Sequence, residues 1–322
     1  MPGIHRVLAT LLAANLALTW GLGCAASTSD SVQTPDPTLD GSWQRLAADP
    51  RIGRYTSSGW GFSTASYWIE GPTGLVLVDL QFLPSATREL VAIAERETGK
   101  KVVLAIVLHA NPDKFNGTQT LQERGIKVVT SQQVVDLIPA VHQKRVHSFY
   151  ERYKPDYPQV QPAPESFGAT ATTLEAGGIS LQLHPVGGGC SAAHVLLTFE
   201  GHLFAGDLLA SGVHSWLELG LAREWLVRVE EMQALAPTFV HPGRGSSGGP
   251  ELLTNQRAYL NFVLATMAGE NPRGKPEPKA LARVKQKIVA RYPEYGFSVF
   301  LEIGLPAVWR ELAAATKLSA GS

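Results

Sequence analysis

Four side chains able to do chemistry fall within six positions: His109, Asn111, Asp113 and Lys114, with Asn116-Gly117 close behind. An imidazole and a carboxylate can hold a metal ion or carry a proton. An amide is a weak neutral oxygen donor, and an ammonium cannot ligate a metal as a cation. The cluster follows directly on an apolar, β-branched run, residues 102–108, that reads as a buried strand. Side chains crowded together after such a strand sit in the mouth of a site rather than in a core. Further along lie Cys190 behind three glycines, Asp207 after Phe204-Ala205-Gly206, and Arg244 between Gly243 and Gly245.

The elements that must position these residues alternate between strand and helix, which is an α/β pattern. Residues 63–70 and 74–80 read as two strands around the turn Gly71-Pro72-Thr73-Gly74. Residues 84–97 form an amphipathic helix with a Pro-Ser start and a Gly99 stop. After the central strand and loop come a short helix at 118–124, a strand at 126–130 and a long helix at 132–153. That helix offers Val134, Val135, Leu137, Ile138 and Val141 to the core, and places His142 and His147 on a solvated face. The Pro-rich residues 153–166 read as a loop walling the site. Strands are expected at 172–174, 179–184, 195–200 and 203–205, then a helix at 224–235. The last part, 250–322, reads as three helices, 252–268, 279–291 and 307–317, with a Pro/Gly/Lys break at 271–278.

Four of these stretches together resemble the metallo-β-lactamase superfamily. Its His-x-His-x-Asp-His loop stands here as His109-Ala110-Asn111-Pro112-Asp113-Lys114. Gly187-Gly188-Gly189-Cys190-Ser191 sits where the superfamily has Gly-x-Gly-His-Ser/Thr. Phe204-Ala205-Gly206-Asp207 matches Phe-Ala-Gly-Asp, and Val240-His241-Pro242-Gly243-Arg244-Gly245 takes the place of Val-x-Pro-Gly-His-Gly. Val76-Leu77-Val78-Asp79 is similar to the strand that ends in an aspartate near the metals. The resemblance spans residues 41–249 and implies a four-layer αββα sandwich, followed here by extra C-terminal helices. It also implies a ligand set. Of seven positions, His109, Asp113 and Asp207 are kept, Cys190 replaces a histidine with a competent ligand, and Asn111 is a weak one. Lys114 and Arg244 stand where histidines would be. The first metal position would be lined by His109, Asn111, Cys190 and Asp207; the second, with Asp113, loses both its histidines to cations. One zinc ion is therefore the expected cofactor, with Lys114 and Arg244 neutralising the aspartates in place of the other ion. Asp79 is expected to support the histidine loop. His194 could ligate or pack, and His241 is expected to be structural. His214 and Trp216, in a loop that often faces the superfamily's active site, are candidate substrate contacts together with Arg244.

Composition narrows the partners. The 322 residues carry 28 acidic and 28 basic side chains and no Lys/Arg run, so nucleic acid is a poor partner. A small-molecule substrate is expected instead. His5-Arg6 followed by an apolar run at 7–18 reads as a secretory segment, and Gly21-Leu22-Gly23-Cys24 resembles a bacterial lipoprotein signal. Ordinary cleavage near Ala25-Ala26 is the alternative. Residues 1–24 are thus expected to be a signal, 25–41 a Ser/Thr/Asp/Pro-rich linker, 42–249 the catalytic-type domain and 250–322 a helical extension. The expected location is the periplasm, free or anchored through a lipidated Cys24. The other cysteine, Cys190, then has no disulfide partner.

Three functions compete. The first is a mononuclear zinc hydrolase of an ester, thioester or lactam-type amide, with Asp113 and Lys114 beside the water and Arg244 on the substrate. The second is a metal-free binding protein on the same frame. The third makes Cys190 a nucleophile with His109 as its base.

Overall fold

The computed structural model describes residues 41–320, with side chains to residue 315. The expected signal and linker, with Cys24, lie outside the described residues. Two sheets face each other. The first has seven strands in the order β1 (Ser42–Arg45), β2 (Ile52–Thr56), β3 (Ala65–Glu70), β4 (Leu75–Val78), β5 (Val102–Ile106), β6 (Lys127–Thr130) and β7 (Glu165–Ser166). Its first four strands pair antiparallel and the rest parallel. The second, built from β8 (Thr172–Ala176), β9 (Ile179–Val186), β10 (His194–Phe199), β11 (His202–Ala210) and β12 (Phe239–Arg244), runs in the order β12-β11-β10-β9-β8. Only the β11–β12 pair is parallel.

Helices cover both outer faces. On the first sheet lie α1 (Pro84–Thr98), α2 (Pro112–Phe115), α3 (Thr118–Gln122) and α4 (Gln132–Tyr153). On the second lie α5 (Ala222–Ala234) and α6 (Glu251–Ala268), with α7 (Pro278–Arg291) and α8 (Val299–Ala320) stacked on α6. This is the expected αββα sandwich with extra C-terminal helices. One core fills the space between the sheets and under α1 and α4, where Trp68, Leu90, Ile106, Val195 and Phe204 are buried. The other lies between the outer face of the second sheet and the C-terminal helices, around Trp225, Leu260, Val284 and Trp309. Burial of both faces along β4, and along β5 except at the exposed Val103, explains their continuous apolar runs.

Several expectations need correction. Helix α8 begins at Val299 rather than near 307, because Pro306 lies inside the helix instead of starting it. Neighbouring packing holds it there: Gly304 lies so close to Leu217 that a Cβ would fall 2.7 Å from the leucine side chain. His142 is buried, not solvated, with Nε2 3.2 Å from the Gln159 carbonyl. No described helix is long and apolar enough to cross a membrane.

His241, expected to be structural, joins a buried polar row between β11 and β12. Its Nε2 lies 2.9 Å from His202 Nδ1 and its Nδ1 2.9 Å from Ser247 Oγ, while His202 Nε2 is 3.5 Å from Asp49. Burial holds the His241 imidazole down at about 3. The unfolded chain takes up a proton near 6.5 that the folded chain refuses. The stability from this site is therefore complete above about pH 6.5 and is lost as pH falls toward 3, by at most about 1.4 kcal/mol per pH unit. Urea titrations at pH 7, 5 and 4 should show a shallower acid slope for His241→Asn than for the parent; identical slopes would remove His241 from the acid response.

Candidate functional site

The strand-loop-helix stretch at 102–117 behaves as its sequence suggests. Strand β5 runs into the core, and Asn111 in extended conformation precedes α2, whose first residue is Pro112. One turn of helix then turns Asp113 and Lys114 inward, where both are buried. The Leu80 backbone N–H donates to the Lys114 carbonyl at 2.9 Å, tying this turn to the end of β4. Asp79, at a positive φ of 62°, accepts from the Leu108 N–H at 2.9 Å. A left-handed aspartate is uncommon, and here it braces the end of the histidine strand.

Two glycines bring Asp207 to the same place. Gly206 has φ +53° within a register shift of β11, a bulge that re-aims the next side chain. Gly243 lets β12 approach: a Cβ there would stand 2.0 Å from Asp207 Oδ1. Arg244 follows on β12 and reaches across to the first sheet.

Lys114 and Arg244 then interleave with the aspartates. The Lys114 ammonium, fully buried, lies 3.0 Å from Asp207 Oδ1, 3.1 Å from Asp113 Oδ2 and 3.8 Å from Asp79 Oδ2. The Arg244 guanidinium donates from Nη1 to Asp207 Oδ2 and from Nη2 to Asp113 Oδ2 at 2.8 Å. Its Nη2 also reaches Thr64 Oγ1 at 3.4 Å, and its Nε the Phe62 carbonyl at 3.1 Å. Burial opposes every one of these charges, and the opposite charges win. Against burial, Arg244 and then Lys114 hold Asp207 below the usual carboxylate range; Lys114 and then Arg244 do the same for Asp113. Burial likewise works against the Lys114 ammonium, but Asp113, Asp207 and Asp79 hold it above its ordinary value. Asp79 goes the other way: burial pushes its carboxyl up to about 7 despite Lys114.

A second group lies behind Asp207. The chain bridges His109 to His194 across the β10 start, and the Val195 N–H donates to the Leu108 carbonyl at 2.7 Å. Cys190 Sγ is 3.7 Å from His109 Nε2 and 3.2 Å from His194 Nε2. All three residues are buried, and their ligand atoms lie within 4.8 Å of one another. His194 Nδ1 is 3.0 Å from the Gly187 carbonyl, which fixes the proton on that nitrogen and leaves a lone pair on Nε2. The Ser191 N–H donates to His194 Nε2 at 3.2 Å. Burial holds His109 at about 4 and His194 at about 3, and pushes the Cys190 thiol well up. His109 Nε2 is 3.7 Å from Asp207 Oδ2, which joins the two groups.

Zinc donors at 2.0–2.3 Å in a tetrahedron stand about 3.5 Å apart. The sulfur stands 3.7 and 3.2 Å from the two imidazole nitrogens, and all three ligand atoms lie within 4.8 Å of one another, so His109, Cys190 and His194 could hold one ion. A second ion does not fit among Asp113, Asp207, Lys114 and Arg244, because the ammonium and guanidinium already hold these carboxylates.

The cleft that opens onto this floor is narrow, with a cavity volume of about 50 Å³, and opens to solvent. Asn111, Asp113, Asp207, Arg244 and Arg145 supply its polar surface. Two groups of packed rings line it, Phe62 with Phe82 and Phe149, and Trp216 with Phe300. Among the expected substrate contacts, Trp216 lines the cleft. His214 does not: it is buried with Nδ1 3.0 Å from the Tyr259 hydroxyl, in the aromatic cluster of the C-terminal helices. Arg244 lines it but has every nitrogen engaged, so it positions the aspartates rather than offering a free fork. The 153–166 loop backs the cleft instead of walling it, through Tyr157 against Phe82 and Phe149. His194 and Arg145 are the residues that sequence reasoning underrated.

The sequence profile of the metallo-beta-lactamase superfamily matches residues 59–244. A metallo-beta-lactamase type 2 of Bacillus cereus is 44% identical over 54 residues, 17% of this chain and 21% of that protein. Another, from Bacillus sp. (strain 170), is 27% identical over 188 residues, 56% of this chain and 66% of that protein. The matched spans thus cover about a fifth and just under two-thirds of these relatives. Among solved structures, a metallo-beta-lactamase from Pontibacter korlensis superposes with a TM-score of 0.57 at 20% identity, over 69% of this chain and 99% of that one. One from Pseudomonas aeruginosa, in its mono-zinc form, gives 0.54 at 17% identity over 69% and 96%. With the profile covering more than half of its length and the fold shared, the chain belongs to the metallo-beta-lactamase superfamily.

Proposed function

We propose that the protein is an exported hydrolase of a small-molecule ester, thioester or amide, working with a single zinc ion held by His109, Cys190 and His194. The observation that carries this reading is the convergence of two imidazole nitrogens on one thiol, next to a carboxylate that borders the cleft. The mono-zinc form of the Pseudomonas aeruginosa relative supports a one-ion reading of this fold. When bound, zinc would lower the pKa of a water toward about 7 and polarise a carbonyl.

The chain's own residues supply the rest. Asp113 stays ionised between Lys114 and Arg244, both of which engage its Oδ2. As an acceptor facing the cleft it orients a water. Asn111 lines the cleft half-exposed, and no described residue hydrogen-bonds its side-chain amide. It is placed to donate to a substrate carbonyl. The aromatic walls exclude bulk water. Cys190 lies behind Asp207 with His109 and His194, none of them in the cleft lining, and burial pushes its thiol up, which disfavours a free thiolate as nucleophile.

A metal-free binding protein is the second reading, favoured by the balance of Lys114 and Arg244 against Asp113 and Asp207. Metal analysis of protein purified without a histidine tag separates the two. About one zinc per chain is expected; under a tenth of an equivalent, with no gain of esterase or amidase turnover on adding zinc, would leave the binding reading. Export is inferred from residues 5–24 and is checked by the mass of the mature N-terminus.

A further inference from the structure

We infer that the cleft selects an uncharged, flat aromatic ligand and discriminates against its carboxylate counterpart. This rests on the proposed small-molecule site but not on the presence of zinc.

The charged groups lining the cleft are two carboxylates, Asp113 and Asp207, and two guanidiniums, Arg145 and Arg244. They cancel. Both guanidiniums are already committed to acceptors of the protein. Arg244 uses all three nitrogens on Asp113, Asp207, Thr64 and the Phe62 carbonyl. Arg145 pairs through both terminal nitrogens with Glu218 and lies over the Trp216 ring at 5.4 Å. A carboxylate in the cleft would have to break one of these buried pairs or lie unpaired beside Asp113. Either outcome leaves a charge without its partner in a site of low polarity.

The walls favour the opposite kind of ligand. Phe62 meets Phe82 edge-on at 4.9 Å, and Phe82 meets Phe149 edge-on at 5.2 Å. Trp216 and Phe300, also in the cleft lining, meet edge-on at 4.9 Å. Rings packed edge-on against each other hold their orientation, so a flat apolar group meets surfaces that are already ordered. The unpartnered Asn111 amide offers one donor and one acceptor at the mouth, which suits a neutral carbonyl or carboxamide. For a hydrolase, the substrate would be the neutral ester or amide and the released acid the species the cleft holds poorly.

Indole-3-acetamide and indole-3-acetate share ring and size and differ in charge. Calorimetric titration of each into the protein, as purified and after removal of metal by chelation, tests the inference. The amide should bind at least tenfold tighter in both preparations. Trp216→Ala and Asn111→Ala should each weaken amide binding several-fold at an unchanged melting temperature. Equal or tighter binding of the carboxylate to chelated protein, no binding of the amide, or an amide affinity indifferent to both substitutions would overturn it. A neutral preference that survives chelation in a protein lacking zinc would sink the hydrolase reading alone.

Discussion

Lys114→Met should cost the fold about 3–5 kcal/mol in urea denaturation at pH 7, among the largest losses available to a single side chain here. The replacement keeps the length of the chain and its apolar stem, so packing is nearly preserved. What disappears is the ammonium that three buried carboxylates share. Arg244 would then face Asp113 and Asp207 alone, and Asp79 would have no cation within reach. Breaking one member of a buried ionic group leaves an uncompensated charge, which costs more than the intact group contributes. Pairing Lys114→Met with Asp113→Asn removes one charge of each sign and should restore at least half of the loss. A cost below 1 kcal/mol, or a double variant no better than the single, would show that the carboxylates do not depend on Lys114.

The second large effect is on metal. Cys190→Ser should weaken zinc binding by about a hundredfold or more, beyond the 10–100-fold typical of residues that merely support a ligand. A serine hydroxyl is a poor zinc ligand beside a thiolate, and Cys190 is the only one of the three donors able to bring a negative charge. His194→Ala should act in the same direction, because the fixed proton on Nδ1 aims Nε2 at the sulfur. Competition with a chromophoric chelator gives the affinity, and denaturation of the metal-free variants shows whether the fold is intact. The buried serine hydroxyl would face the same two imidazole nitrogens as the thiol, so the apo stability of Cys190→Ser should fall by less than about 3 kcal/mol. An unchanged zinc affinity in both variants would place the metal elsewhere.

The fold was legible in the sequence because its landmarks are local. The apolar run of β5 ending at His109, the Phe204-Ala205-Gly206-Asp207 strand and the Pro84 and Gly99 boundaries of α1 each carry their own signal. The less legible features are set by contacts between distant elements. His194 looked like a packing residue because its partners, His109 and Cys190, are assembled only when the β10 start bridges to the loop after β5. His214 was expected at the cleft because its loop follows Asp207, yet Tyr259 on α6 holds it in the outer core. Arg145 lies thirteen residues into a helix, with nothing nearby to mark it, and reaches the cleft because Glu218 and Trp216 meet it there. The last helix was expected only from 307, and it runs through Pro306 from Val299, packed closely at Gly304 against Leu217.

The covalently tethered ammonium of Lys114 has a further consequence. A bound ion obeys mass action, and its occupancy rises and falls with supply. A lysine is present at unit stoichiometry in every folded copy, whatever the surroundings contain. The clasp around Asp113 and Asp207 should therefore keep its shape in metal-starved and metal-replete conditions alike, confining any response to ion availability to the sulfur and two imidazoles behind it.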